Sequence, residues 1–373
     1  MSGNNGNNRL RAREPLTDTQ LLMYISIGIF VVMYAAAALT LKGGFLKPQM
    51  IFDLLNDNAA LIIVACGLTI VMIGGGINIS VGGVIGFTVM SCALFLNAHE
   101  GGPVTIVLTV LLALGIGLAF GVLEGFLVSY LEIQPFIVTL AGMFLSRGLT
   151  TMLSVNPVKV THEGFLALVK SKIKIPWLGY IAQNGNLIPA KLEIGAVVAL
   201  CVVLLVYLML RYLRFGRNIY ALGGNRQSAL MLGINVKSTC FWSYVLSGLL
   251  SGLAGLVFIM HKPAGNASVA MRSEMDAIAA SIIGGTLLTG GVGNVVGTLF
   301  GVMILATIQK IIALSPLNAS WWQEMASGAM LSFFILLQSL VLMRKNRSKR
   351  KAKQKAAAKA AEEAPSGAGG GTA

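Results

Sequence analysis

The hydrophobic residues of this chain fall into long runs that are separated by short polar stretches. Six runs are of ordinary length, at about residues 21–41, 104–129, 136–153, 193–213, 239–260 and 322–343. Each is close to the roughly 20 apolar residues that a helix needs to cross a bilayer, where backbone groups must satisfy their hydrogen bonds internally. The pattern therefore predicts six single membrane-spanning helices.

Two further runs are too long for one crossing. Residues 58–98 contain no Asp, Glu, Lys, Arg or His, and residues 277–309 repeat this pattern. Glycines interrupt each run, at Gly74–Gly76 and at Gly290–Gly293. We interpret each run as two membrane segments joined by a Gly-rich turn, which brings the total to ten. The segment 275–289 is short enough to be re-entrant, which would remove crossings in pairs.

Composition and charge agree with a membrane protein. Hydrophobic residues make up 55% of the chain and charged residues 11%, against about 45–50% and about 25% in soluble domains. The net charge is +14, but nine of the 28 Lys and Arg lie in Arg344–Lys359 and five in Arg211–Lys237. Basic clusters beside apolar spans indicate the cytoplasmic side. We therefore expect cytoplasmic termini and no nucleic-acid partner.

The expected fold class is an all-α, polytopic membrane protein with about ten transmembrane helices. Residues 1–20 are polar and are predicted to be a disordered cytoplasmic segment, residues 21–343 the transmembrane domain, and residues 344–373 a basic cytoplasmic tail. No phosphate-binding loop, zinc motif or serine-hydrolase motif is present. The chain is thus expected to be no enzyme and to bind no cofactor or metal, so that any driving energy must come from another polypeptide.

The longest stretch between spans on the predicted cytoplasmic side is residues 211–238. Within it Asn225 is a candidate N-cap for a short helix from Arg226 to Leu232, and Gly233 is a candidate stop. A short amphipathic helix parallel to the membrane is a surface that a soluble motor domain could grip. An ordinary amphipathic connector explains the pattern equally well.

Four sequence elements resemble the permeases of ribose/galactoside-type ABC importers. The first is the stretch 214–237, which contains RFGRNIYALGGN and LGINVK and is similar to the cytoplasmic loop of that family. The others are GGINISVG at 75–82, PFIVTLAGM with RG at 135–148, and the Asp-, Gly- and Thr-containing element at 276–298. They occur in consistent order over about residues 50–340.

This resemblance implies a monosaccharide permease of the bacterial inner membrane, surrounded by lipid. It implies a second permease protomer, identical or homologous, an extracytoplasmic sugar-binding protein, and a cytoplasmic ABC ATPase subunit that hydrolyses ATP. In that family the cytoplasmic loop couples the permease to the ATPase. The corresponding coupling residues here are Gly223, Gly224, Asn225, Arg226, Leu232, Gly233 and Ile234.

Polar residues inside predicted spans are candidates for the substrate path, because they are costly in a bilayer. They are Asn78, Ser80, Glu124, Thr139 and Arg147, with Phe136 as an aromatic face for a sugar. Asn78 stands where the family has an aspartate, so a charged role does not carry over. The simpler interpretation of Glu124 and Arg147 is a structural ion pair.

Two other classes of function remain as alternatives. An ion-coupled secondary transporter for a small polar solute should carry several carboxylates near the membrane midplane, whereas Glu124 is the only acid well inside a predicted span. A channel or scaffold has little support, since no charged ring or selectivity motif is present.

Glycines at helical spacing predict close helix packing. Two sets occur, Gly115, Gly117 and Gly121 on one span and Gly248, Gly252 and Gly255 on another. We expect each set to form a packing face.

Overall fold

A computed structural model describes residues 18–40, 45, 47–99, 102–181, 187–314, 321–322, 325–326 and 328–336. The chain divides into two compact units, residues 1–327 and residues 328–373. In the second unit residues 328–336 are helical. The predicted N-terminal segment up to residue 17, the basic tail and much of the span 322–343 lie outside the described residues.

The first unit consists mainly of helices. In chain order its helices and strands are α1 (Asp18–Thr40), α2 (Gln49–Asp57), α3 (Ala59–Ile73), α4 (Val81–Ala98), α5 (Pro103–Ser129), α6 (Pro135–Leu153), β1 (Val158–Lys159), α7 (Glu163–Lys170), β2 (Ile173–Ile181), β3 (Leu187–Leu192), α8 (Ile194–Tyr212), α9 (Arg214–Gly224), α10 (Arg226–Met231), α11 (Val236–His261), β4 (Ala264–Gly265), α12 (Ser273–Ile283) and α13 (Val295–Leu314).

Seven helices of the described chain are long and apolar enough to cross a membrane, and the pair α2 and α3, bent by 60°, adds an eighth candidate. The predicted breaks in both overlong runs are confirmed, because α3 and α4 are separate helices, as are α12 and α13. The 11 residues of α12 extend only about 16 Å at 1.5 Å per residue. This helix has the length of a re-entrant segment, and the total of ten stays a prediction.

Close packing of α5 against α11 confirms one predicted glycine face. A side chain added at Gly117 would lie 2.9 Å from the backbone nitrogen of Gly252, and one at Gly121 would lie 2.9 Å from two carbonyl oxygens of α11. Gly248 in turn faces Gly117 and Gly121. The backbones of the two helices therefore touch, which only glycine allows.

Two of the six predicted packing glycines behave differently. A side chain at Gly115 would meet no atom within 4 Å, so its assignment to the packing face was wrong. Gly255 packs against Thr88 of α4 rather than against α5. Thus α11 presents glycine to α5 along one part of its length and to α4 along another.

Two small two-stranded sheets lie on the side of the molecule where α4 has its C-terminal end. β1 pairs with β4 in antiparallel register, and β2 forms an antiparallel hairpin with β3. The sequence analysis predicted an all-α fold and therefore no strands there. The alternation Ile-Lys-Ile at 173–175 is nevertheless the period of a half-exposed strand.

An ion cluster joins four helix ends near these sheets. Glu193 lies 2.7 Å from His261 Nδ1 and accepts a hydrogen bond of 2.8 Å from Lys172. Asp57 lies 3.2 Å from Lys310 and 3.7 Å from His261. Burial raises the pKa of Glu193, but the hydrogen bonds and charges of His261 and Lys172 outweigh burial, so that this pKa lies below its ordinary value.

Candidate functional site

The 211–238 segment contains the predicted short helix. Asn225 accepts a hydrogen bond of 2.8 Å from the backbone nitrogen of Ser228, which caps α10 at its predicted start. Gly233 has a φ of +76°, and α10 ends just before it. These features confirm the predicted cap and stop, although the helix stops at Met231. The preceding helix α9 was not predicted.

The far end of α10 carries an apolar surface. Met231 and Leu232 are 81% and 77% exposed, and Leu230 is also exposed. Ile234 instead packs inward against a small core formed with Leu222 and two other buried residues. The segment is therefore anchored on one side and presents bare hydrophobic side chains on the other.

The loop between α5 and α6 contacts the same segment through Glu132. Its carboxylate lies 3.7 Å from the guanidinium of Arg226 and 3.6 Å from the ammonium of Lys237. All three side chains are more than half exposed, so each ion pair contributes at most about 1 kcal/mol. The sequence analysis did not single out Glu132, because it lies outside the resembling motifs.

Two Gly-containing turns meet the end of α9, and we call Gly75, Gly223, Gly290 and Gly291 the glycine junction. A side chain at Gly223 would overlap the carbonyl oxygen of Ile73. The backbone nitrogen of Gly291 donates a hydrogen bond of 2.8 Å to this same oxygen. A side chain at Gly290 would lie 2.9 Å from the Cα of Gly75. The turns of both overlong runs thus contact the 211–238 segment directly.

A side-chain hydrogen bond supports the same contact. The hydroxyl of Tyr220 on α9 donates to the carbonyl oxygen of Gly293 at 2.7 Å. Burial raises the pKa of Tyr220 to about 12, so the hydroxyl keeps its proton at neutral pH. This hydrogen bond therefore links α9 to the turn between α12 and α13.

A buried polar cluster lies at the beginning of α4, and we define it as Asn78, Ser80, Glu124 and Ser247. The side-chain amide of Asn78 donates to the Ser247 hydroxyl at 3.2 Å. Its oxygen accepts from the Ser80 backbone at 3.1 Å and from the Ser80 hydroxyl at 2.8 Å. Glu124 is 1% exposed, and within the described residues neither of its carboxylate oxygens accepts a hydrogen bond of ordinary length, although the side chains of Ser80 and Asn78 lie beside it.

Helix α6 lies beside this cluster. The Glu124 carboxylate and the Ser80 side chain both contact the position where Gly142 would carry a side chain. Thr139 is buried, and its hydroxyl donates to the Pro135 carbonyl one turn earlier at 2.9 Å. Phe136 is 49% exposed, so the structure does not bring its ring into the cluster.

The predicted pair between Glu124 and Arg147 is wrong. The guanidinium of Arg147 donates to the carbonyl oxygens of Val269 and Ala270, at 2.6 and 2.8 Å. The carboxylate whose charge acts on Arg147 belongs to Glu274. Arg147 therefore holds the stretch before α12, and Glu124 is left without a basic partner in the part of the chain that is described.

Glu274 is a site residue that the sequence analysis missed. It lies in the first turn of α12 and is buried, and its Oε2 contacts Gly82 in the first turn of α4. This oxygen has no hydrogen-bond partner among the described residues. Glu274 lies three positions before the uncharged run 277–309. The sequence analysis considered only polar residues inside the predicted spans, so it did not include Glu274.

A cavity of about 490 Å³ opens between the 211–238 segment, the α5–α6 loop and the turn after α3. Tyr244 forms its floor: the side chain is buried, lies against Gly76 and donates to the Ile77 carbonyl at 3.4 Å. The polar cluster lies directly beyond Tyr244, since Asn78 follows Ile77 and Ser247 is one turn further along α11. The charged residues of the cavity wall are Glu132, Arg226 and Lys237.

Comparison with known proteins places these features in a family context. Residues 50–335 match the family model described as branched-chain amino acid transport system / permease component. The chain is 40% identical to the inner membrane ABC transporter permease protein YjfF of Escherichia coli K12, over 88% of this chain and 95% of that protein. It is 31% identical to the fructose import permease protein FruG of Bifidobacterium longum, over 87% and 93% of the two chains. It is 29% identical to the galactose/methyl galactoside import permease protein MglC of Escherichia coli K12, over 85% and 95%. No solved structure matches.

Proposed function

The chain belongs to the permease family described as branched-chain amino acid transport system / permease component, and we propose that it is the membrane subunit of an ATP-driven monosaccharide importer. Membership makes it a multi-pass inner-membrane transport component rather than an enzyme. It also implies that a partner subunit hydrolyses ATP.

The main support for a sugar as the transported molecule comes from the relatives of this chain. Although the family description names branched-chain amino acids, the relatives that match 85% or more of this chain include permeases named for fructose, galactose and xylose. The polar cluster agrees with an uncharged, hydroxyl-rich cargo, because it supplies hydroxyl, amide and carboxylate groups. A zwitterionic amino acid would also need a cationic partner for its carboxylate.

The proposed orientation places both termini, the 211–238 segment and the cavity in the cytoplasm, with ten membrane segments. It rests on the distribution of Lys and Arg, of which 17 of 28 fall on the cytoplasmic side. The two small sheets then face the extracytoplasmic side, where a sugar-binding protein would deliver cargo. Apolar faces of α5 and α6, such as Leu111 and Phe144, would contact lipid or a second permease protomer.

The proposed coupling element is the apolar end of α10 with its flanking residues. An ATPase subunit that binds Leu232 and its neighbours would move α9 and α10 together, since Ile234 and Leu222 share one small core. The glycine junction would pass this movement to the turns after α3 and α12. ATP and loaded binding protein must favour different conformations for transport to result.

The proposed cargo path passes the polar cluster. Asn78, Ser80 and Glu124 would contact the cargo, and Thr139 supports the wall of α6. Arg147 holds the stretch before α12 in place, and Phe136 lies outside this path.

The test is uptake by proteoliposomes that contain the chain together with its ABC ATPase and sugar-binding protein. We expect ATP-dependent entry of at least one of labelled ribose, xylose, galactose and fructose, and no entry of labelled leucine. Entry of leucine without any sugar would overturn the proposed cargo. Uptake that is driven by a proton or sodium gradient in the absence of ATP would favour the secondary transporter instead.

A further inference from the structure

Two buried carboxylates approach the first turn of α4 from different helices. Glu124 comes from α5, beside Ser80 and Gly142, and Glu274 comes from α12, against Gly82. We propose that Glu124 and Glu274 form one cargo site around this turn, which takes a neutral, hydroxyl-rich molecule, and that Tyr244 closes the site from the cytoplasm. The proposal rests on the function proposed above and deepens it by a residue, Glu274, and a gate.

Three oxygens of these two buried carboxylates have no hydrogen-bond donor among the described residues. Glu124 is 1% exposed and Glu274 is 7% exposed, yet both oxygens of Glu124 and Oε2 of Glu274 accept no hydrogen bond from the described chain. Leaving a buried polar group unpaired costs free energy, and the cost is greater for a charged group. A donor that arrives from outside would satisfy these oxygens, and sugar hydroxyls are donors of this kind.

The backbone of α4 supplies the complementary groups. Residues 81–83 form the first turn, so their N–H groups have no acceptor within the helix. Glycine at 82 and 83 leaves the backbone bare on the sides that face Glu274 and Ser146. A hydroxyl group can donate a hydrogen bond to a carboxylate and at the same time accept one from a backbone N–H group. A polyol can therefore bind both the two carboxylates and the N–H groups of α4, whereas a simple cation would bind only the carboxylates.

The site is closed in this conformation. Gly82 and Glu274 are in contact, as are Gly142 and Glu124, so cargo binding requires α4 to separate from α12 or α6. On the cytoplasmic side the 490 Å³ cavity ends at Tyr244, whose ring lies against Gly76. Gly76, against which Tyr244 lies, directly follows Gly75 of the glycine junction. Movement of α9 can therefore also displace Gly76 from Tyr244. The gate is therefore linked to the element that the ATPase would move.

The first experiment measures uptake of the sugar that the wild-type complex carries, together with its monodeoxy analogues. If Glu274 accepts a bond from one hydroxyl, Glu274→Gln should lower kcat/KM for the parent sugar about ten-fold or more, and should affect the analogue that lacks this hydroxyl much less. Glu124→Gln should act in the same way with a different analogue. Because the binding protein is unchanged, its own selectivity cancels in the ratio of variant to wild type.

Glu163→Gln is the matched control, since Glu163 is exposed on α7; it should leave all uptake rates unchanged. Equal losses for the parent sugar and every analogue would assign Glu274 a structural role and overturn the proposal, as would unchanged uptake in Glu274→Gln. If the wild-type complex carries none of the sugars, the proposed function itself fails.

The second experiment tests the gate without any cargo. A cysteine replaces Ser247 in a chain whose four native cysteines are changed to serine, and a charged methanethiosulfonate reagent is added to inside-out vesicles. Labelling should be slow with Tyr244 and with Tyr244→Phe, which keeps the ring, and at least ten-fold faster with Tyr244→Ala. Equal labelling rates in all three chains would refute Tyr244 as the gate.

Discussion

Substitution of Gly223 by alanine tests whether the glycine junction transmits movement. A methyl group at this position would overlap the Ile73 carbonyl, which accepts the hydrogen bond from Gly291. Overpacking a close contact costs about 1–3 kcal/mol, and leaving a buried backbone group unpaired costs about 1–3 kcal/mol more. The junction is thus expected to open, at a total cost of about 2–6 kcal/mol if both terms apply.

The neighbouring Gly224 provides a matched control. A side chain there would meet nothing within 4 Å, while alanine at either position gains the same helix propensity of up to about 1 kcal/mol over glycine. The difference between Gly223→Ala and Gly224→Ala therefore isolates the contact with Ile73 and Gly291. Both variants keep the exposed surface of α10 unchanged.

The assay compares ATP hydrolysis with sugar uptake in the same proteoliposomes. We expect Gly223→Ala to hydrolyse ATP at near the wild-type rate and to lose at least ten-fold in uptake, whereas Gly224→Ala should retain both. Thermal unfolding of the purified complex should show a lower midpoint for Gly223→Ala only. If the two variants transport equally well, the junction does not carry the coupling movement and the reasoning fails.

Three further predictions follow from local contacts. Gly117→Leu should destabilise the chain strongly because its side chain would enter the backbone of α11, whereas Gly115→Leu should be neutral; thermal unfolding of the two purified variants checks this. Asn225→Ala should cost about 1 kcal/mol of local stability through loss of the cap, seen as faster hydrogen exchange in α10 and restored by Asn225→Ser. Because the pKa of Glu193 is lowered in the folded chain, its ionised form stabilises the fold above about pH 4.3, the unfolded value, and this stabilisation is lost as the pH falls through the folded pKa. The melting midpoint of Glu193→Gln should therefore lie furthest below wild type at neutral pH and approach it on acidification; a constant difference would contradict this.

Much of the helical fold could be predicted, because hydrophobic runs of membrane length have few alternatives. The breaks at the glycines and the cap and stop of α10 followed from local chemistry in the same way. Local sequence does not show whether a bent or short segment completes a crossing, which depends on tertiary contacts. The total of ten membrane segments and their orientation therefore stay predictions.

The candidate site was harder to predict, because its partners are distant in sequence. Arg147 binds carbonyl groups more than 120 positions away. The prediction of Glu124 as its partner rested only on both being charged residues within predicted spans. Glu274 was missed because a charge at the edge of an apolar run usually marks the membrane surface. Only the folded-back path of residues 264–272 brings it to the first turn of α4.

The pairing of β1 with β4 affects how the end of the molecule that we propose to be extracytoplasmic can respond to a docked protein. β1 continues from α6 and β4 from α11, while Asn97 at the end of α4 donates to the carbonyl of Lys159 at 2.8 Å. The ends of α4, α6 and α11 are thus connected through this two-stranded sheet. We therefore expect these three helix ends to move together as one rigid body when a protein docks there. Bending would then occur at the glycine turns at the opposite end.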